Sequence, residues 1–171
     1  MKFRKSLLAA ALSIAGLTLL GCAQTPPPAP APPPAPAPAA APSYPPLVNQ
    51  LVAATKKQVR TINMAEFKAA FDKKELGLIV DVRQENEFED GFIPGAVNVP
   101  RGLIEFRIWK LVGFPDKTDT TTKMTLYCAT GGRCALAAKS LQDMGFVNVT
   151  SADMRFADWV KAGYPVAKPA K

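Results

Sequence analysis

Histidine is absent from this chain of 171 residues. Its absence removes Ser-His-Asp and Cys-His catalysis and every zinc site that needs an imidazole, because no side chain with an unperturbed pKa near neutrality is left. Any chemistry must run on Cys, carboxylates, Lys, Arg, Tyr or hydroxyls. Charge is also in short supply. The formal excess of +7 falls to +4 once Lys2, Arg4 and Lys5 are set aside with a cleaved leader, which is too mild and dispersed for a nucleic-acid partner. Only three cysteines occur, and in an exported chain an odd number leaves one thiol over unless it is otherwise used. With one of them spoken for below, two cysteines without histidine or a carboxylate cluster cannot close a metal site, and no cofactor is called for. The length fits one modest domain plus extras.

Prolines are abundant but unevenly placed, and they divide the chain. Residues 1–21 carry a basic start followed by an apolar run from Leu7 to Leu20, the pattern of a signal peptide that is too short to span a membrane comfortably. The run ends Leu19-Leu20-Gly21-Cys22. This resembles the lipobox of bacterial lipoproteins, and the resemblance implies that Cys22 becomes the lipidated first residue of the mature chain. Several acyl chains on one cysteine give a stable membrane anchor where a single chain is marginal. Ala23 stands where an aspartate would direct inner-membrane retention, so the same resemblance implies an outer-membrane anchor facing the periplasm. Residues 22–46 then hold 12 of the 17 prolines, interleaved with alanine. Such a segment cannot bury a core and favours extended polyproline II, a semi-rigid stalk with a reach of about 60 Å.

Residues 47–171 are long enough for a single α/β core. Leu47, Val48, Leu51 and Val52 recur at helical spacing and predict a docking helix over 47–57. Thereafter strands and helices alternate. Strands are expected at 58–62, 76–82, 96–99, 123–127 and 147–150. Helices are expected after the capping box Asn63-Met64-Ala65-Glu66, at 85–90, at 103–112 as a helix apolar around much of its circumference, at 133–144 and at 155–162. Strands separated by helices of this length predict a mainly parallel sheet covered on both faces. Trp109 and Trp159 read as core residues, and Asp81 and Arg83 as an internal pair that fixes a strand end.

In such a fold, ligands gather where a strand hands over to a helix. One strand ends at Cys128, followed by Ala129-Thr130-Gly131-Gly132-Arg133-Cys134 and a helix. Small residues and two glycines let successive N–H groups turn inward as an anion nest, and the helix N-terminus adds its positive end. A thiol that ordinarily titrates near 8.5 falls to about 3.5–7.5 in such surroundings, so Cys128 would be a thiolate without a general base. Taken alone, the same residues also fit an inert strand-end cysteine followed by a glycine turn.

The wider pattern narrows the choice. Ile79-Val80-Asp81-Val82-Arg83, Glu87-Phe88, Gly91-Phe92-Ile93-Pro94-Gly95-Ala96-Val97-Asn98-Val99-Pro100, the loop Cys128 to Arg133, Ala137-Ala138 with Leu141, and Gly145-Phe146 with Asn148-Val149 together resemble the rhodanese (sulfurtransferase) family over residues 58–167. The resemblance implies that Cys128 takes a sulfane sulfur from a small anion such as thiosulfate and passes it, through a persulfide, to cyanide or a protein thiol. Ala129, Thr130, Gly131, Gly132 and Arg133 would bind the donor and stabilise the persulfide anion, with Arg101 a further donor-binding candidate. Related phosphatases have a loop one residue longer, so this shorter loop favours sulfur over phosphate.

Three positions depart from the family pattern. Cys134 replaces the usual Ser or Thr after the arginine, and is either a small helix-start residue or a resolving thiol for Cys128. Phe92 replaces a histidine. Asp153-Met154-Arg155 stands in place of a Gly-Gly pair, putting side chains at the rim of the loop, where Arg155 is best read as a solvated arginine. Two other functions stay open on the sequence: a catalytically silent tethered binding module, and a thiol-disulfide protein using Cys128 and Cys134.

Overall fold

The computed structural model describes residues 44–170. Cys22, the signal-like segment and most of the Pro/Ala run therefore lie outside the described residues.

The described chain contains six helices, α1 (Pro46–Lys56), α2 (Met64–Asp72), α3 (Glu85–Glu89), α4 (Ile104–Arg107), α5 (Gly132–Asp143) and α6 (Phe156–Lys161), and five strands, β1 (Arg60–Asn63), β2 (Leu78–Asp81), β3 (Ala96–Asn98), β4 (Met124–Tyr127) and β5 (Val149–Asp153). The strands form one sheet in the order β1-β5-β4-β2-β3. Every neighbouring pair is parallel, so the expected α/β fold is the one observed, with β4 at the sheet's centre.

Strand periodicity sorts the two faces. Val80 and Val82, Met124 and Leu126, and Val149 join one buried cluster with Ile104, Ile108, Ala135, Ala137, Ala138 and Leu141, which places α4 and α5 on that side. Tyr127 and Ala152 point the other way into a second cluster with Phe67 and Trp159, from α2 and α6. Trp159 is fully buried, with edge-on rings of Phe67 at 5.5 Å and Phe71 at 5.7 Å. Each such side chain contributes about 1.5–3 kcal/mol by leaving water. Helix α1 packs outside α5, but of the apolar residues whose spacing predicted a docking helix, Leu47, Val48 and Leu51 are exposed and only Val52 is partly covered.

Local signals set several of these elements. The capping box at α2 forms as read: Asn63 Oδ1 accepts from the Glu66 N–H at 3.0 Å and Glu66 Oε2 from the Asn63 N–H at 2.8 Å. Asp81 and Arg83 form the expected buried pair. The Arg83 guanidinium donates to both Asp81 oxygens and to the Gly91 carbonyl, and it stacks 3.9 Å from the Phe156 ring centroid. The exit of β2 is thereby clamped to the start of α6.

Two expectations need correction. The segment 103–112 is not one helix buried all round. It is a single α turn between two 3-10 segments, Arg101–Leu103 and Ile108–Val112. Ile104, Ile108 and Val112, four residues apart, are buried, whereas Phe106 is 79% exposed, so the apolar residues form one inward stripe plus outward strays. Strand β5 runs to Asp153 instead of ending at Thr150, because β1 pairs alongside it from Arg60↔Thr150 to Asn63↔Asp153. That ladder extends a stretch, Ser151-Ala152-Asp153, with little strand propensity of its own.

Candidate active site

Cys128 follows directly on the central strand β4, and α5 begins four residues later at Gly132. The turn between them is set by Gly131, whose φ of +81° belongs to the left-handed region that favours glycine. Space is tight there as well, since a Cβ at this position would lie 3.3 Å from Asp153 Cα and would have to displace the Asp153 carboxylate. On one side the loop is tied to α6 by the Phe156 N–H, which donates to the Ala129 carbonyl at 3.1 Å. The end of β4 just before the loop is held by the Val82 N–H, which donates to the Tyr127 carbonyl at 3.0 Å.

Cys128 and Cys134 are both buried, and their sulfurs lie 3.5 Å apart. Cys134 Sγ is also 3.3 Å from the Gly131 carbonyl and 3.2 Å from the Ala152 carbonyl, and it accepts from the Ser151 hydroxyl at 3.3 Å. The two thiols are pushed in opposite directions. Hydrogen bonding from the Cys134 thiol, aided by the Thr130 and Cys134 N–H groups and the charge of Arg133, pulls Cys128 down to about 6 against the opposing effect of burial. Burial first, and then the neighbouring Cys128 charge, pushes Cys134 well above the ordinary thiol range. One sulfur is thus an anion at neutral pH and the other the neutral donor that holds it. The neighbouring thiol gives the largest stabilisation of the anion, and the Thr130 and Cys134 amides add to it.

Arg133 does not reach over the loop unencumbered. Its guanidinium makes a two-pronged pair with Glu87 of α3, at 2.6 and 2.8 Å. That contact holds the Glu87 carboxyl below the usual carboxylate range. Arg133 still contributes positive charge towards Cys128.

The predicted site residues therefore separate. Ala129, Thr130, Gly131, Gly132, Arg133 and Cys134 gather around Cys128 in one turn. Arg101 does not join them: its guanidinium pairs with Glu105 at 3.0 Å and donates to Ser140 at 3.3 Å. Ser140 lies about two helical turns along α5 from the loop. Phe92, in the place of the pattern's histidine, stacks on Phe88 with ring centroids 4.0 Å apart, and it pairs through both backbone groups with Ala167. Arg155 is exposed, as a solvated arginine should be.

Four participants escape a reading of the loop alone. Glu87 holds Arg133. Ser151 is a further partner of Cys134. Lys56, from the end of α1, pairs with Asp153 at 2.5 Å, and its ammonium would lie 3.5 Å from a Cβ at Gly131, so this pair lines the loop's rim. Asp153 carried a signal in the sequence, because it places a side chain where the family pattern has glycine. Lys56 carried none, being 97 residues away.

The comparisons with known proteins agree with this geometry. Residues 63–162 match the rhodanese-like domain family. The Bacillus subtilis protein YrkF, provisionally named a sulfur carrier, is 31% identical over 98 residues, covering 57% of this chain and 49% of its own. The thiosulfate:glutathione sulfurtransferase of Saccharomyces cerevisiae is 31% identical over 93 residues, covering 50% of this chain and 66% of its own. The chain thus spans about half of the first relative's length and about two thirds of the second's. Among solved structures, a Rhodopseudomonas palustris protein of unknown function, described as a possible tyrosine phosphatase, superposes with a TM-score of 0.60 at 32% identity, covering 70% of this chain and 93% of that one. A central parallel strand followed directly by a cysteine, a glycine turn into a helix, and a match over 100 residues make this chain a member of the rhodanese-like domain family.

Proposed function

We propose that the protein is a sulfurtransferase in which Cys128 takes a sulfane sulfur from a small anionic donor such as thiosulfate and passes it on through a persulfide. The observation that carries this reading is the Cys128 sulfur at the strand-to-helix turn, where the Cys134 thiol 3.5 Å away, the Thr130 and Cys134 N–H groups and the charge of Arg133 favour its anion. The Cys128 thiolate attacks the outer sulfur of thiosulfate, a sulfur–sulfur bond forms, and sulfite leaves with the electron pair of the bond that breaks. The new terminal sulfur carries the negative charge. The loop's N–H groups and the start of α5 offer that charge the stabilisation they give the thiolate. Arg133 adds positive charge beside the incoming anion. Cyanide or a thiol then attacks the terminal sulfur and regenerates Cys128. The names of relatives such as the yeast thiosulfate:glutathione sulfurtransferase support the donor class.

The test is thiocyanate formation from thiosulfate and cyanide by the full chain and its Cys128→Ala variant. Activity in the parent and none in the variant is the expected result. A folded, reduced parent without activity would sink the reading.

The proposal extends to location on sequence grounds alone. Lipidation at Cys22 would tether the domain through the Pro/Ala run to the periplasmic face of the outer membrane. Cys22→Ser should then move the protein from the membrane fraction to the soluble one, and continued membrane association would overturn the anchor.

A further inference from the structure

The pairing of two thiols inside one catalytic turn has a use that simple sulfur relay does not need. We infer that Cys134 resolves the Cys128 persulfide, expelling the transferred sulfur as hydrosulfide and leaving a Cys128–Cys134 disulfide that a dithiol reductant must reopen. The inference rests on the persulfide proposed above and adds a second, reductive outcome at the same site.

Three observations carry it. The two sulfurs are already 3.5 Å apart, so about 1.5 Å of approach makes a bond of ordinary disulfide length. Cys134 is fixed in place by contacts to the Gly131 and Ala152 carbonyls and by the Ser151 hydroxyl, which donates to it. A hydroxyl donating to a sulfur stabilises that sulfur as it gains negative charge, which a nucleophile does when it loses its proton. Finally, Cys134 is fully buried. Its nearest electrophile is the sulfur on Cys128.

The step balances without an external oxidant. The Cys134 thiol attacks Cys128 Sγ, and a Cys134–Cys128 bond forms. The bond from Cys128 Sγ to the sulfane sulfur breaks, its electron pair leaves with that sulfur, and the Cys134 proton goes with it as hydrosulfide. The two cysteine sulfurs are oxidised together by two electrons, and the sulfane sulfur is reduced by the same two. The charge of the buried persulfide leaves with the product, so a neutral disulfide replaces an anion in the core, which lowers the cost of burial. A dithiol then returns two electrons and two protons, and ends as its own disulfide. A monothiol acceptor would instead take the terminal sulfur before Cys134 attacks. The competition between the two routes decides whether sulfur leaves bound to an acceptor or as hydrosulfide.

Intact-mass measurement under anaerobic conditions tests this. The full chain carrying Cys22→Ser, with Cys128 and Cys134 as its two thiols, is reduced, freed of reductant and mixed with thiosulfate alone, and hydrosulfide is assayed in parallel. The expected product has lost two hydrogens, with one hydrosulfide released per chain, and a dithiol such as dithiothreitol restores the starting mass. With Cys134→Ser added, the reaction should stop at a chain heavier by one sulfur atom, with no hydrosulfide. A parent chain that holds the extra sulfur stably and releases none would overturn the resolving role and leave the persulfide standing. A chain that gains no sulfur in either form would overturn both.

Discussion

At the scale of the residue, the site depends on the difference between two cysteines six positions apart. Cys128 is suited to attack the donor as proposed because the Cys134 thiol keeps its proton and lends it to its neighbour. This arrangement makes a direct prediction for alkylation. The rate of Cys128 modification by iodoacetamide should follow the thiolate fraction, rising with pH to a midpoint near 6 and levelling off by neutrality. In Cys134→Ala the largest stabilising contact is gone, and the midpoint should move up towards the ordinary thiol value near 8.5. Cys134→Ser restores a donor and should bring it back down. A midpoint indifferent to all three side chains would show that the amides alone hold the anion. The Cys128–Arg133 turn was legible at this scale because its chemistry is local. Glu87 was not, since nothing near Arg133 in the sequence announces a partner 46 residues earlier.

At the scale of the element, the local signals and the tertiary ones divide cleanly. The capping box at Asn63 could be read from four letters, whereas the break-up of 103–112 could not. Every residue there tolerates a helix, and the outcome follows from fitting only Ile104, Ile108 and Val112 against α5 and the sheet. The end of β5 was missed for a similar reason, since a partner strand supplies what Ser151-Ala152-Asp153 lacks. Two substitutions separate support from site. Asn63→Ala removes a cap far from the loop and should cost about 1 kcal/mol of stability with transfer activity retained per folded molecule. Gly131→Ala must hold alanine at positive φ and push the Asp153 carboxylate aside. It should cost about 1–3 kcal/mol and lower kcat/KM at least tenfold, because the strain falls on the amides facing Cys128. Chemical denaturation and steady-state kinetics on both variants check the contrast, and a Gly131→Ala variant with full activity would show that the turn tolerates displacement.

At the scale of the whole molecule, the anionic cysteine ties stability to pH. Its folded pKa, about 6, lies below the unfolded value near 8.5, so the unfolded chain binds more protons between those limits. Its contribution is therefore complete above about 8.5 and is lost as pH falls through about 6. Cys134, held neutral, adds nothing in that window and begins to oppose folding only above it, where the unfolded thiol ionises. Thermal unfolding should show Tm rising from pH 6 to 8.5 in the parent and a flatter profile in Cys128→Ser. Equal slopes in the two proteins would mean that the thiolate is not held by the fold. The parallel sheet with helices on both faces was readable from the alternation of strands and helices. The placement of α1 beside the loop was not, because the Lys56–Asp153 contact joins residues 97 positions apart.

The sulfurs of Cys128 and Cys134 belong to the same buried cluster as Val80, Leu126 and Leu141. Many enzymes carry their chemistry on a loop that can melt while the body stays intact, so that activity fades well before the fold does. Here the proposed nucleophile is itself part of the hydrophobic interior, and its turn is stitched to α6. The molecule accordingly has little room for a state that is native in shape but dead in function. Surviving activity during heating becomes a count of folded molecules, and the enzyme assay and circular dichroism should trace a single curve.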